Sequence, residues 1–247
     1  MMHTHSTPAI ERERAQTAVT VDVVIMTVRD GALRVLLVER GGEPFAGSWA
    51  LPGGFIEPDE DAHGAAVREL AEETGVAADG FHLEQLATYS APDRDPRMRV
   101  VSIAHLAFAP DLPDPSEGSD AVAARWWSVE DLLDDPDAPR LAFDHEQILR
   151  DALERVRAKL EYTTLATRFL AEPFTIAELR AVYTAVWGAP PDRIGFTRRV
   201  LATDGFVEPD PDAASQARTG NPRPMLYRRG EATQLQPALL RSEATSA

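Results

Sequence analysis

The chain has 247 residues, room for one large domain or two modest ones, with 44% hydrophobic residues and a formal net charge of −15. It has no cysteine, which excludes disulfides and thiolate zinc sites. It also lacks an apolar run of about 18 residues, which excludes a membrane-spanning helix. The N-terminal stretch MMHTHSTPAIERERAQ is polar and carries acids, a poor signal or transit peptide, so a cytoplasmic location is expected.

In chain order, Thr17 to Val28 is rich in β-branched residues and ends at the turn dipeptide Asp30-Gly31, predicting a strand with ALRVLLVER as its hairpin partner. Trp49 to Pro52 predicts a short strand ending at Gly53-Gly54. HLEQLATYS and MRVVSIAHLAFA predict two more strands, and ARWWSVEDLL a strand passing into a helix. From Asp144, apolar residues at Ile148, Leu149, Ala152, Leu153, Val156 and Leu160 have helical spacing, with Asp144 as the expected cap and Gln147 at the third position. A helix is expected over Tyr162 to Leu170. Another is expected from Phe174 to Trp187, started by a Thr175–Glu178 capping box and a Phe174–Leu179 staple and stopped by Gly188. Pro191 to Ala202 predicts a third helix with Pro191 in its first turn. FVEP and MLYRR predict two short strands.

The stretch GGFIEPDEDAHGAAVRELAEETGV, Gly53 to Val76, gathers Glu57, Glu60, Glu69, Glu72 and Glu73 around one short helix. Glu69, Glu72 and Glu73 stand at i, i+3 and i+4 and share a face; Val67, Leu70, Ala71 and Thr74 fall on another that can pack on a sheet. Three carboxylates on one ridge suit a hard divalent cation, Mg²⁺ or Mn²⁺. The competing explanation is a solvated acidic face. Arg68 can hold a carboxylate bidentately, Gly53 and Gly54 let the backbone turn tightly beside a ligand, and Gly75 suits the helix end.

These residues resemble the Nudix signature G-x5-E-x7-R-E-U-x-E-E-x-G-U, with U apolar, at Gly54, Glu60, Arg68, Glu69, Leu70, Glu72, Glu73, Gly75 and Val76, without a departure. The resemblance implies an α/β/α sandwich around a mixed sheet that hydrolyses a nucleoside diphosphate linked to another group. Carried over by position, it implies Glu69, Glu72 and Glu73 as metal ligands with the Gly53 carbonyl, and Glu60 and Arg68 as orienting groups. Glu73 and Glu57 are candidates for the base. Trp49 could stack on a base, although a strand Trp more often packs. Arg94, Arg97 and Arg99 could grip phosphates or remain solvated. Gly53, Gly54, Trp49 and Arg99 are the expected nucleotide contacts. His63 and His105 are expected to be structural.

Charge is uneven along the chain. From Arg150 onward 14 Lys+Arg face 12 Asp+Glu, a formal +2, leaving 11 basic and 28 acidic residues before it, or −17. On the third helix Phe196 and Val200, broadened by Ile194 and Leu201, form an apolar side, while Gly195, Arg198, Arg199 and Ala202 point away. Arginine reads guanine edges or grips phosphates. Thr197, Arg198 and Arg199, with Arg218 and Arg223 in the turn-rich stretch Gln216–Pro224, are the candidate DNA contacts. A dimerising helical tail with surface arginines is the competing explanation. A Nudix-like region followed by EYTTLATRFL, FTIAELRAVYTAVWG, FTRRVLATDGFVEP and PRPMLYRRG resembles the Nudix-related transcriptional regulators of NAD metabolism. That resemblance implies a homodimeric repressor on a palindromic double-stranded DNA operator, sensing ADP-ribose or a related nucleotide. Many of those regulators carry a degraded catalytic signature; this one is intact, so an Mg²⁺-dependent ADP-ribose pyrophosphatase whose C-terminal region dimerises is the rival. The expected organisation is a disordered tail (1–16), a Nudix domain (17–160), a winged helix-turn-helix domain (161–230) and a loose tail (231–247).

Overall fold

A computed structural model of the chain describes residues 16–75, 81–110, 112–114, 123–211 and 224–241. Strands β1 (Thr17–Arg29) and β2 (Ala32–Glu39) form the expected hairpin. Asp30 and Gly31 both take positive φ, 53° and 76°, as a two-residue turn between twisted strands requires. β3 (Trp49–Ala50) pairs with the far end of β2, and β4 (Gly53–Phe55) with the middle of β1. On the other side of β1, β6 (Arg99–Phe108) runs parallel from Thr17↔Arg99 to Met26↔Phe108. β5 (His82–Tyr89) closes that edge, and β7 (Ala124–Ser128) joins β2. The result is a seven-stranded mixed sheet among the described residues.

Alternation along β1 decides the layers. Val23 and Ile25 pack with Ala66 and Leu70 of α1 (Ala62–Thr74) on one face. Val24 and Met26 pack on the other face with Ile148, Leu149, Ala152, Leu153, Val156 and Leu160 of α3 (His145–Tyr162). The α1 face against the sheet is Ala65, Ala66, Leu70 and Thr74; Val67 is half-buried and Ala71 exposed, so the expected packing face is rotated. α2 (Val129–Asp134) follows β7 directly, capped by Ser128.

Asp144 stands at the start of α3 but makes no side-chain cap bond. Arg94 takes its carboxylate through two bonds, 2.7 and 3.0 Å, and a charged fork outcompetes a cap. The helix expected after Tyr162 is a short 3-10 helix, Thr164–Phe169, whose Phe169 stacks on Phe108 with ring centroids 4.4 Å apart.

In α4 (Ile176–Trp187) the Thr175–Glu178 capping box is formed in both directions, Gly188 ends the helix at φ 76°, and Phe174 and Leu179 are both buried. α5 (Arg193–Ala202) begins two residues later than expected, because Asp192 caps it by accepting from the Gly195 N–H at 2.6 Å. β8 (Val207–Pro209) and β9 (Tyr227–Arg229) pair antiparallel.

α3 crosses the expected boundary at 160, and one apolar cluster runs from the sheet through α3 into α4 and α5. The Tyr183 hydroxyl donates to the Leu160 carbonyl at 3.1 Å, and Arg157 Nε to the Val186 carbonyl at 3.0 Å. Residues 231–241, expected as a loose tail, instead return to α3. The Leu235 and Leu239 N–H groups donate to the Tyr162 and Glu161 carbonyls, and both side chains are buried. Burying two leucines stabilises this return by about 2 kcal/mol each, which a solvated tail would forgo.

Candidate functional site

The acidic helix starts where Asp61 accepts a bond from the Gly64 N–H at 2.7 Å, a cap that its residue type could have signalled. It ends at Gly75, φ 66°. Between them Arg68 organises the carboxylates. Its Nη2 meets Glu60 Oε1 at 2.8 Å, its Nη1 meets Glu69 Oε1 at 2.7 Å, and Glu72 lies 3.5 Å away. Glu60 also accepts from the Glu57 N–H at 2.9 Å. Arg68 and Glu60 thus stand together as orienting groups, with Glu57 exposed beside them.

Gly53 and Gly54 are needed for close approach rather than for positive φ. A Cβ on Gly53 would strike the Val21 carbonyl of β1, and a Cβ on Gly54 would strike Glu69 Oε1. The Glu69 carboxylate is therefore cradled against the Gly54 backbone, only 8% of the residue exposed. Burial raises its pKa, and Arg68 opposes the rise. Glu73, half-buried one turn on, is pushed up to about 7 by burial and then by the charges of Glu69 and Glu72. Among the described residues no three His, Asp or Glu side chains converge tightly enough to hold an ion as they stand, since Arg68 draws Glu69 and Glu72 to itself. The donor chemistry still fits a hard cation: oxygen ligands, a glycine cradle that admits one of them, and a Glu73 whose ionised form has no positive partner among the described residues.

Beside Gly53 and Gly54 opens a cleft of about 230 Å³, lined also by Asp22, Arg40, Leu51, Arg94, Arg97, Phe143 and His145. At its floor Arg94 bridges Asp22 (3.2 Å) and Asp144 (2.7 Å), while Ser102 donates to Asp22 at 2.5 Å. His145 Nε2 lies 3.3 Å from Asp22, and its Nδ1 accepts from the Leu51 N–H at 2.9 Å. Burial would raise the Asp22 pKa, but His145, Ser102 and Arg94 together hold it down to about 2. Sequence reasoning missed Asp22, Arg40, Phe143 and His145, which come from three separate segments and carry no spacing signal.

Trp49 and Arg99 do not line this cleft. Trp49 packs edge-on against Trp127, centroids 5.2 Å apart, and Arg99 donates to the Ser90 and Ala91 carbonyls, both at 2.9 Å. Arg94 is buried and Arg97 pairs with Asp95 at 2.7 Å, so neither is a simple solvated charge. His105 is buried and bonded to the Ile103 carbonyl, 6.3 Å from the His63 ring. A larger cavity, about 450 Å³, lies where the β1–β2 turn and α3 meet the end of α4, and it contains none of the signature residues.

On α5, Phe196 and Val200 are buried as expected, but Ile194 and Leu201 are 79% and 52% exposed and belong to the outer face. Arg193, Arg198 and Arg199 are exposed, while the Thr197 hydroxyl donates to the Arg193 carbonyl at 2.9 Å. Arg218 and Arg223 lie outside the described residues, as does most of the stretch 216–224.

The NUDIX domain family matches residues 17–152. The ADPR responsive transcriptional repressor NtrR of Acinetobacter baylyi is 32% identical over 212 residues, 85% of this chain and 80% of that protein. The crystal structure of Shewanella oneidensis NrtR complexed with a 27mer DNA superposes with a TM-score of 0.67 at 34% identity, covering 88% of this chain and 91% of that one. The NUDIX domain of the same protein complexed with ADP ribose gives 0.51 at 36% identity, covering 57% and 89%. A match over more than half of the chain, with the signature residues folded around Arg68 as above, establishes that this chain belongs to the NUDIX family.

Proposed function

We propose that this protein is a DNA-binding transcriptional repressor whose NUDIX region senses ADP-ribose or a related nucleotide. The observation that carries this reading is the likeness to NrtR across both halves, in a structure that holds DNA. An NrtR NUDIX domain holding ADP ribose and the repressor NtrR support it. The two helices and the β8–β9 ribbon fit a winged helix-turn-helix plan, in which α5 enters the major groove with Arg198 and Arg199 toward the duplex. A homodimer on a palindromic operator belongs to the same proposal, its two-fold symmetry matching half-sites about one helical turn apart. Arg218 and Arg223 are proposed as further contacts of the same region.

The coupling is thermodynamic. A ligand that prefers one arrangement of the two α5 helices changes operator affinity by the ratio of its affinities for the two arrangements. Mobility shift of DNA from upstream of the chain's own gene, with and without ADP-ribose, tests this. Absence of any shift for the native chain overturns it.

A second reading, Mg²⁺-dependent hydrolysis of ADP-ribose, is favoured by one specific observation: Arg68, Glu60 and Glu69 stand in a complete orienting network. Hydrolases of this family use divalent metal ions. Glu69, Glu72, Glu73 and the Gly53 carbonyl would hold Mg²⁺, which supplies charge neutralisation at the diphosphate and a more acidic water. Arg68 fixes Glu69 against Gly54, and Glu73 or Glu57 accepts the proton. AMP release from ADP-ribose, compared between the native chain and Glu73→Gln, separates enzyme from pure sensor.

A further inference from the structure

The outward face of α5 holds more than arginines. Ile194 is 79% exposed and Leu201 is 52% exposed, although both side chains are large and apolar. Ile194, Arg198 and Leu201 stand at i, i+4 and i+7, so they form one stripe, opposite the buried Phe196 and Val200. Gly195 and Ala202 flank that stripe with almost no side chain, which lets another surface come close to the helix backbone. Apolar side chains scattered singly over a surface are ordinary. Two of them on one stripe with an arginine between them call for a partner that offers both apolar and anionic groups.

Charge decides which partner. The helix carries Arg193, Arg198 and Arg199, all exposed, and no acidic residue from Arg193 to Ala202. In a two-fold contact the same patch meets itself, so two copies joined through this face would set these arginines against their own kind. Like charges placed face to face across an interface are costly. A DNA duplex answers both halves of the stripe. Its phosphates take the arginines, and its major groove presents one apolar group among the base edges, the C5 methyl of thymine.

We propose that Ile194 is a specificity-determining residue: its side chain packs on a thymine methyl in the major groove, and operator recognition depends on that methyl. The proposal rests on the DNA-reading part of the proposed function. Ile194 is the second residue of α5, and a recognition helix meets base edges through its N-terminal residues. An isoleucine in a helix is held largely to one χ1 rotamer, so ordering it against a base costs little side-chain entropy. Gly195 beside it keeps the helix start slim enough for that contact.

The site that the full native chain protects on DNA upstream of its own gene is made as two duplexes, one with thymine and one with deoxyuridine at every thymine position. The two differ only in the methyl groups. Fluorescence anisotropy gives the Kd of the native, Ile194→Val and Ile194→Ala chains for each, with melting curves in parallel. One methyl buried against an apolar side chain is worth about fourfold, so methyls in two half-sites predict a loss of about tenfold or more for the native chain on the deoxyuridine duplex. Ile194→Ala is expected to bind the two duplexes within about twofold of each other, and Ile194→Val to fall between. An equal loss in the native and Ile194→Ala chains, or no loss in the native chain, overturns the methyl contact and leaves the proposed function standing. No protected site for the native chain overturns the function reading and the contact with it. Sedimentation in which Ile194→Ala splits a native dimer assigns the stripe to a second copy of the chain and overturns the contact.

Discussion

The Glu69 carboxylate fills the space that a Cβ on Gly54 would occupy, and it is held there by Arg68 at 2.7 Å. Gly54→Ala must therefore push a buried carboxylate aside. Because the clash is with the end of a side chain, the stability loss is expected to stay within about 1 kcal/mol. Divalent-ion affinity is expected to fall by about tenfold or more, as when the support of a metal ligand is removed. Mn²⁺ titration followed by magnetic resonance, beside a melting curve, reads both. Unchanged Mn²⁺ affinity would remove Gly54 and Glu69 from the cation site.

Asp22 ties β1 to β6 and to the start of α3 through Ser102 and His145. Its pKa is held at about 2, below the ordinary 3.8, so its contribution is full above about pH 4 and is lost as the pH falls through 2. The shift corresponds to about 2 kcal/mol. Asp22→Asn is expected to be less stable at neutral pH and to show a flatter loss of stability between about pH 4 and 2. Denaturant unfolding at a series of pH values checks this, and a variant curve parallel to the native one refutes it.

Arg198 and Arg199 are exposed on α5 and make no side-chain bond among the described residues. Replacing both by alanine is expected to change stability by less than about 0.5 kcal/mol. Operator affinity is expected to drop by about a hundredfold, each arginine contact being worth roughly 1–3 kcal/mol, and its salt dependence to become shallower. Fluorescence anisotropy at several salt concentrations measures both. Native affinity in the double variant would take α5 off the DNA.

One apolar cluster joins the sheet to α4 and α5. Heat unfolding is thus expected as a single cooperative transition. Tyr183→Phe, which removes the buried hydroxyl bond to Leu160, is expected to lower stability by about 1 kcal/mol while keeping one transition. Two resolved transitions in the native chain would show that the halves unfold independently.

What was legible in the sequence is local. The signature helix, its Gly75 stop, the Asp30-Gly31 hairpin and the Thr175–Glu178 capping box are written in residues a few positions apart, and each forms. What was not legible is set by partners far along the chain. Asp144 would cap its helix were Arg94 not 50 residues upstream to claim it. Leu235 and Leu239 look like tail residues until α3 presents the groove they fill. Arg40, Asp22, Phe143 and His145 meet only because β1, β2 and the start of α3 converge beside β4. Trp49 carries the residue type that suits base stacking, yet Trp127 on β7 occupies its ring edge.

The most direct measurement is the affinity of the full chain for its upstream DNA, by anisotropy, titrated with ADP-ribose. The expected result is specific binding whose Kd shifts by about tenfold or more as ADP-ribose saturates, a coupling of typical allosteric size. Specific DNA binding that ADP-ribose leaves unmoved at saturation, or no specific binding at all, would contradict a nucleotide cleft coupled to a DNA-reading helix.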